Sequence, residues 1–263
     1  MKIAFFDSGL GGLTVLREAV KLLPHEEYYY FADSLHVPYG PKPKEEVREY
    51  IFQAVDKLSQ MGIKALVVAC NTATSIAVNE LRQTCNFPVI GIEPAVKPAV
   101  ERFRESGQRV LVLATLLTLQ EPKFHELVRR VDDENIVDYL PFPELVEHCE
   151  NLQYHDDIIL PLLKNKLTSY DMSQYGVIVL GCTHFPFYKW HLKKILPNNI
   201  EIIDGSVGTT KRLKQVLEEN SLLREQTNQE PTQITYLSSL DDGGEQKRME
   251  RAMNYLIHAE MNA

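Results

Sequence analysis

Two short, wholly apolar runs in this chain each end in a cysteine followed by hydrogen-bonding side chains. Ala65-Leu66-Val67-Val68-Ala69 leads into Cys70-Asn71-Thr72-Ala73-Thr74, and Val177-Ile178-Val179-Leu180-Gly181 leads into Cys182-Thr183-His184. Runs of this kind, with no alternation of polar and apolar residues, read as parallel strands buried on both faces. Parallel strands need crossover helices, and open α/β sheets take their ligands at the carboxyl ends of the strands. One thiol at such an end suggests a nucleophile. Two, at corresponding places in two halves, suggest a site with a thiol on each face, the arrangement that moves a proton between the two faces of one carbon.

The rest of the chain keeps the same rhythm. Apolar runs at 2–6, 28–32, 64–69 and 88–92 alternate with helical spacing at 13–23, 45–61 and about 73–84, the middle stretch stopping at Gly62. A second series places strands near 110–114, 136–139, 177–180 and 201–203, with helices at about 121–131, 145–151 and 156–167. The polar stretch 220–232, with Pro231, reads as a loop, followed by a late strand at 234–240 and a terminal helix at 246–258. The pattern predicts an α/β protein of two similar domains with mostly parallel sheets related as a pseudo-repeat, and a site in the cleft between them.

Bulk composition narrows the function. With 263 residues the chain can bury one large or two modest cores, and 44% hydrophobic with 24% charged residues is ordinary for a globular protein. A formal net charge of -8 argues against a nucleic-acid or anionic-membrane surface, though a local pocket can still hold a small anion on backbone N–H groups. The opening run is followed too soon by Asp7 to read as a secretion signal, and no apolar run approaches a membrane span, so a cytoplasmic location is expected. The four cysteines, Cys70, Cys85, Cys149 and Cys182, include no C-x-x-C pair and read as reduced thiols.

Several motifs sit at predicted strand ends. Asp7-Ser8-Gly9 with Gly11-Gly12 follows the first strand, where glycines admit a ligand close to the backbone and the helix start offers N–H donors. Neither G-x-G-x-x-G nor a Walker ending is present, and a plain capped turn explains the motif equally well. Asp33-Ser34 and Pro38-Tyr39-Gly40 follow the second strand, where an ordinary turn is the simpler reading. Cys70 alone could be a small buried hydrophobe, but Asn71 and Thr72 at a helix start place it where a thiolate is stabilised. Cys182 has His184 two residues on, able to lower the thiol pKa or relay its proton. A metal reading of that pair is possible but poor, because no second close-spaced pair completes a ligand set, so no metal is expected. Cys85 and Cys149 are assigned to structure. Glu147 could orient His184 across space or be an exposed helix charge. Thr115 and Thr118 could bind a carboxylate or cap a helix.

Taken together and in order, Phe6-Asp7-Ser8-Gly9, Gly11-Gly12-Leu13-Thr14, Asp33-Ser34, Pro38-Tyr39-Gly40, Ala69-Cys70-Asn71-Thr72-Ala73-Thr74 and Leu180-Gly181-Cys182-Thr183-His184-Phe185-Pro186 resemble the glutamate racemase family of bacterial cell-wall synthesis. The resemblance runs from the first strand to about Ile203-Asp204-Gly205 and implies a cofactor-independent amino-acid racemase that supplies D-glutamate for peptidoglycan. It implies a first domain of residues 1–92 with 206–263 and a second of 93–205. Cys70 and Cys182 become the proton-transferring pair, Asp7 the carboxylate assisting Cys70, and His184 the imidazole assisting Cys182, with Glu147 matching a family glutamate near the second cysteine. Asp7, Ser8, Tyr39, Gly40, Asn71, Thr72, Thr115, Thr118, Thr183 and His184 match substrate-binding positions. L- and D-glutamate are the implied small-molecule ligands, with no nucleic acid and no membrane as partner, and a homodimer is allowed by the association of some relatives.

One region departs from the family pattern of Gly-Thr-x-x-Thr-x-x-Ser-x-x-Tyr. Here it reads Ala114-Thr115-Leu116-Leu117-Thr118-Leu119-Gln120-Glu121-Pro122-Lys123-Phe124, keeping both threonines but placing Glu121 and Phe124 at the serine and tyrosine positions. The change bears on side-chain recognition more than on proton transfer. Three rivals stand beside the leading reading: a racemase of aspartate, hydantoin or a related substrate; a non-catalytic small-anion-binding protein; and a cysteine hydrolase, which would need only one of the two thiols.

Overall fold

The structure, a computed structural model, describes residues 1–224, 232–240 and 243–261. The loop expected at 220–232 therefore falls largely outside the described residues. A first sheet is built from β1 (Ile3–Asp7), β2 (Tyr28–Ala32), β3 (Ala65–Val68), β4 (Val89–Gly91) and the late β9 (Ile234–Ser238), in the order β4-β3-β1-β2-β9. A second is built from β5 (Arg109–Ala114), β6 (Val137–Pro141), β7 (Tyr175–Leu180) and β8 (Glu201–Asp204), in the order β6-β5-β7-β8. Every pairing is parallel.

Read from the other edge, the second sheet runs fourth-third-first-second, which is also the order of the first four strands of the first sheet. The pseudo-repeat is thus one of topology. In each half the chain lays its second strand on one side of the first and its third on the other. The third strand is β3 in one half and β7 in the other, and each hands over directly to a cysteine. The crevice between first and third strands is where such a sheet opens at its carboxyl edge.

The helices are α1 (Leu13–Leu22), α2 (Lys44–Gln60), α3 (Asn71–Thr84), α4 (Val96–Phe103), α5 (Leu116–Gln120), α6 (Pro122–Val131), α7 (Glu144–Glu150), α8 (Asp156–Leu167), α9 (Lys189–Ile195), α10 (Ser206–Glu219) and α11 (Glu245–Met261). The two-residue period of the strands sorts the core. Ala4, Phe6, Leu66 and Val68 face α2 and α3, and Val110, Val112, Val177 and Val179 pack with α4 and α6. The opposite sides, with Ile3, Phe5 and Val67 from one sheet and Leu111, Leu113 and Ile178 from the other, belong to a single continuous core with α1, α7, α10 and α11. That shared core fixes the two sheets against each other.

Helices α4, α5, α9 and α10 were not expected from the sequence. Pro98 in α4 reads as a breaker but sits in the first turn, where its missing N–H costs nothing. Helix α10 opens with glycine and β-branched residues of weak helix propensity, and is sustained by Thr209, Leu213, Val216 and Leu217 buried in its packing against α1.

Candidate active site

A cavity of about 280 Å³ lies between the carboxyl edges of the two sheets. Ser8, Tyr39, Gly40, Cys70, Asn71 and Thr72 line it from the first half; Thr115, Glu147, Cys182, Thr183 and His184 line it from the second. Asp7 and Thr118 lie behind this wall, both buried.

Cys70 is the N-cap of α3. Its extended backbone lets Sγ accept the Ala73 N–H at 3.4 Å, while its thiol reaches Ser8 Oγ at 3.7 Å. Burial pushes this thiol up to about 12, reinforced by the negative charge of Asp7 and partly offset by the Ala73 N–H and the Ser8 hydroxyl. The Cys70 thiol therefore holds its proton at neutral pH.

Asp7 ends β1 with no exposure at all. One carboxylate oxygen accepts the Gly9 N–H at 2.9 Å; the other accepts the Thr183 hydroxyl at 3.0 Å. The contact of Asp7 with Cys70 is one of charge, while its hydrogen bonds go to the turn and to Thr183. Burial raises the carboxyl to about 6, with His184, Gly9 and Thr183 pulling the other way and Glu150 adding to the rise.

Cys182 faces His184, with Sγ 3.6 Å from Nδ1. The other ring nitrogen, Nε2, lies 2.6 Å from Glu150 Oε1. Burial works against a charged ring, yet its hydrogen bonds to Cys182 and Glu150, with their charges, hold His184 well above the usual imidazole value. An imidazolium donating to the sulfur stabilises negative charge on it. The two thiols thus sit in opposite electrostatic settings.

The glycine turn permits this. A Cβ on Gly11 would stand 2.4 Å from Thr183 Oγ1 and 2.5 Å from His184 Nδ1; one on Gly9 would strike the Glu150 carboxylate. The turn is fixed by Tyr30, whose hydroxyl donates to the Gly9 carbonyl at 2.7 Å. One expectation is corrected: the first N–H groups of α1 donate to the Leu10, Gly11 and Gly12 carbonyls, so that helix does not offer free donors to an anion.

Between the halves, Thr72 Oγ1 lies 3.1 Å from Thr115 Oγ1 and 3.0 Å from Thr118 Oγ1, and Thr115 donates to Thr118 at 2.9 Å. Thr115 also caps α5 through the Thr118 N–H. Tyr39 donates to Asp33 at 2.5 Å, which fixes the loop that carries Gly40. Glu121 and Phe124 do not line this cavity: Glu121 pairs with Lys44 Nζ at 2.7 Å, and the Phe124 ring is buried against Tyr139.

Glu147 reaches the cavity wall but is exposed, and the carboxylate on His184 is Glu150, one turn further along α7. Neither Glu150 nor its partner Arg248 was singled out in the sequence. The one signal pointing to a close approach is the glycine turn opposite. Among the described residues, no three His, Cys, Asp or Glu side chains gather as a metal site requires, and no helix is long and apolar enough to cross a membrane.

A two-halved α/β fold with a thiol on each wall of one cleft defines a class, and comparison with known proteins agrees. The model of the Asp/Glu/Hydantoin racemase family matches residues 13–212. Glutamate racemase 2 of Bacillus subtilis (strain 168) is 56% identical over 223 residues, covering 85% of this chain and 84% of the relative. Glutamate racemase of Halothermothrix orenii is 56% identical over 217 residues, 82% of this chain and 85% of the relative. Among solved structures, Escherichia coli glutamate racemase in complex with L-glutamate and the activator UDP-MurNAc-Ala superposes with a TM-score of 0.84 at 31% identity, over 97% of this chain and 95% of that one. The chain belongs to the Asp/Glu/hydantoin racemase family. Within it, the chain is an amino-acid racemase of the glutamate racemase group.

Proposed function

We propose that the protein interconverts L- and D-glutamate without a cofactor, by a two-base mechanism in which Cys182 and Cys70 serve opposite faces of the α-carbon. The observation that carries this reading is the placement of the two thiols at topologically equivalent strand ends on opposite walls of one cavity. In the L-to-D direction the Cys182 thiolate takes the α-proton and the Cys70 thiol donates its proton to the other face. Cys182 is then a thiol and Cys70 a thiolate, and the reverse reaction starts from that state. The surroundings of the thiols support this reading, with the His184 ring beside Cys182 and a protonated Cys70 opposite.

The α-proton is very weakly acidic, so negative charge on the substrate must also be stabilised. Backbone donors at the Ser8, Gly40 and Asn71 turns are assigned to the α-carboxylate, with Asn71, Thr72 and Thr183 as side-chain partners. Asp7 supports the Cys70 side. Glu147, exposed at the cavity wall, is assigned to the substrate's surroundings rather than to His184. The domain division at 92/93 and 205/206 belongs to the same proposal, supported by the membership of β1–β4 and β9 in one sheet and β5–β8 in the other. The product would feed peptidoglycan synthesis in the cytoplasm.

The test is exchange of the α-hydrogen with deuterated water, followed for each glutamate isomer. The wild type should exchange and racemise both. Cys70→Ala and Cys182→Ala should each abolish racemisation, and near-normal turnover by either sinks the two-base assignment.

A further inference from the structure

The two halves meet differently on the two sides of the cleft. On the side of α1, α7, α10 and α11, one apolar core runs through both halves. On the side of α2, α3, α5 and α6 it does not: the residues packed under α2 and α3 form one cluster, and those under α4 and α6 another. Polar groups cross the seam between them, the Thr72–Thr115–Thr118 hydroxyls and the Lys44–Glu121 ion pair. A void of about 20 Å³, bounded by Ser75, Thr118, Phe124 and Leu127, lies beside the hydroxyls. The same seam forms a wall of the 280 Å³ cavity, where Gly40 and Pro41 line one half, and Thr115 and Leu116 the other. A Cβ on Gly40 would stand 3.3 Å from that of Thr115, so the two lips touch. Leu116 lines the cavity and is half-exposed, so the wall there is one residue thick.

Neither member of the ion pair sits where local rules favour it. Lys44 is the first residue of α2, a cation at the positive end of a helix dipole. Glu121 is the N-cap of α6, yet its carboxylate caps nothing there. Both side chains instead reach across the seam and meet at 2.7 Å. Each is tied to a lip of the cavity. The Lys42 N–H donates to the Tyr39 carbonyl, closing the turn that carries Gly40 and Pro41. The Glu121 N–H donates to the carbonyl of Thr118, whose hydroxyl meets Thr72 and Thr115.

We propose that Lys44 and Glu121 form a latch on this seam, and that glutamate enters and leaves where Gly40–Pro41 parts from Thr115–Leu116. The latch presupposes that the cavity is where glutamate binds. A polar seam opens at low cost, because water replaces each bond that breaks, whereas opening the opposite side would expose a continuous apolar core. The apolar side is therefore the hinge and the polar side the mouth.

The test follows the cavity thiols of the full chain, without substrate, as they are alkylated by fluorescein maleimide, a reagent too bulky for the closed cavity. Peptide mass spectrometry resolves each cysteine. Cys70 and Cys182 report on the mouth, and Cys149, buried outside the cavity, reports on global unfolding. Lys44→Met and Glu121→Gln should each speed labelling of the cavity thiols by about three- to tenfold, with Cys149 unchanged. Lys44→Arg, which keeps the charge, should label as the wild type does. The double variant Lys44→Met/Glu121→Gln should be no faster than the faster single one, because one interaction is lost only once. Neither residue lines the cavity, so kcat should not fall by more than about twofold in either direction. Unchanged labelling of the cavity thiols in both single variants overturns the latch. So do single effects that multiply in the double variant, labelling of Cys149 that rises in step, or a fall in kcat of about tenfold. The two-base reading fails separately, on racemisation by Cys70→Ala or Cys182→Ala, whatever the labelling rates.

Discussion

Asp7 shows what a functional carboxyl costs a fold. Its folded value near 6 lies above the ordinary 3.8, so the stability this group contributes is present below pH 3.8 and lost as pH rises through about 6. Above pH 6 the buried charge destabilises the native state. Asp7→Asn can still accept the Gly9 N–H and pair with Thr183, so it should be more stable than the wild type by about 2–3 kcal/mol at pH 8 and indistinguishable from it near pH 4. Thermal melts at the two pH values check this, and a variant that melts lower at pH 8 refutes it. Racemisation should fall in the same protein, since Cys70 loses the charge beside it. At this scale the sequence showed Cys70, Cys182, Asp7 and His184 because each follows an apolar run and carries unusual chemistry for its place. Glu150 and Arg248 were not visible, because a charged residue on a helix looks the same whether it faces solvent or an imidazole.

At the scale of the element, the strands were legible and some helices were not. Strands buried on both faces are written as apolar runs, and β1, β3, β5 and β7 stand where those runs are. Helix α10 depends on tertiary packing and carries no strong local signal. The glycine turn after β1 was legible as a turn, but its purpose lies in what approaches it from the other half. Gly11→Ala should therefore injure the site more than the fold. Its Cβ would displace Thr183 or His184, costing about 1–3 kcal/mol of stability and lowering turnover by at least about tenfold. Paired melting and rate measurements check this; a variant of unchanged rate would show that the turn has room to spare.

For the whole molecule, the repeat in strand order explains why a two-sided site arises from one chain. Each half delivers its thiol from the same strand position, and facing the carboxyl edges together puts one thiol on each wall. Contacts across the cleft hold that geometry: Thr183 to Asp7, the Thr72–Thr115–Thr118 hydroxyls, and Lys44 to Glu121. Lys44 is 43% exposed, so solvent screens much of its attraction for the buried Glu121. Lys44→Met should cost about 1 kcal/mol in denaturant unfolding, and the difference from the wild type should shrink as salt is raised. A difference that salt does not touch would mean that packing, not charge, joins the halves there.

The first sheet takes its outermost strand from the far end of the chain, for β9 pairs along the whole of β2. Synthesis runs in the other order. On the ribosome β2 emerges early as Tyr28-Tyr29-Tyr30-Phe31-Ala32 and waits while the entire second sheet is made. At ordinary elongation rates that wait lasts on the order of tens of seconds. A bare aromatic edge of this kind is an adhesive template for other chains. The most delicate period in the life of this enzyme therefore falls before residues 234–238 emerge, for only then can β9 seal the sheet.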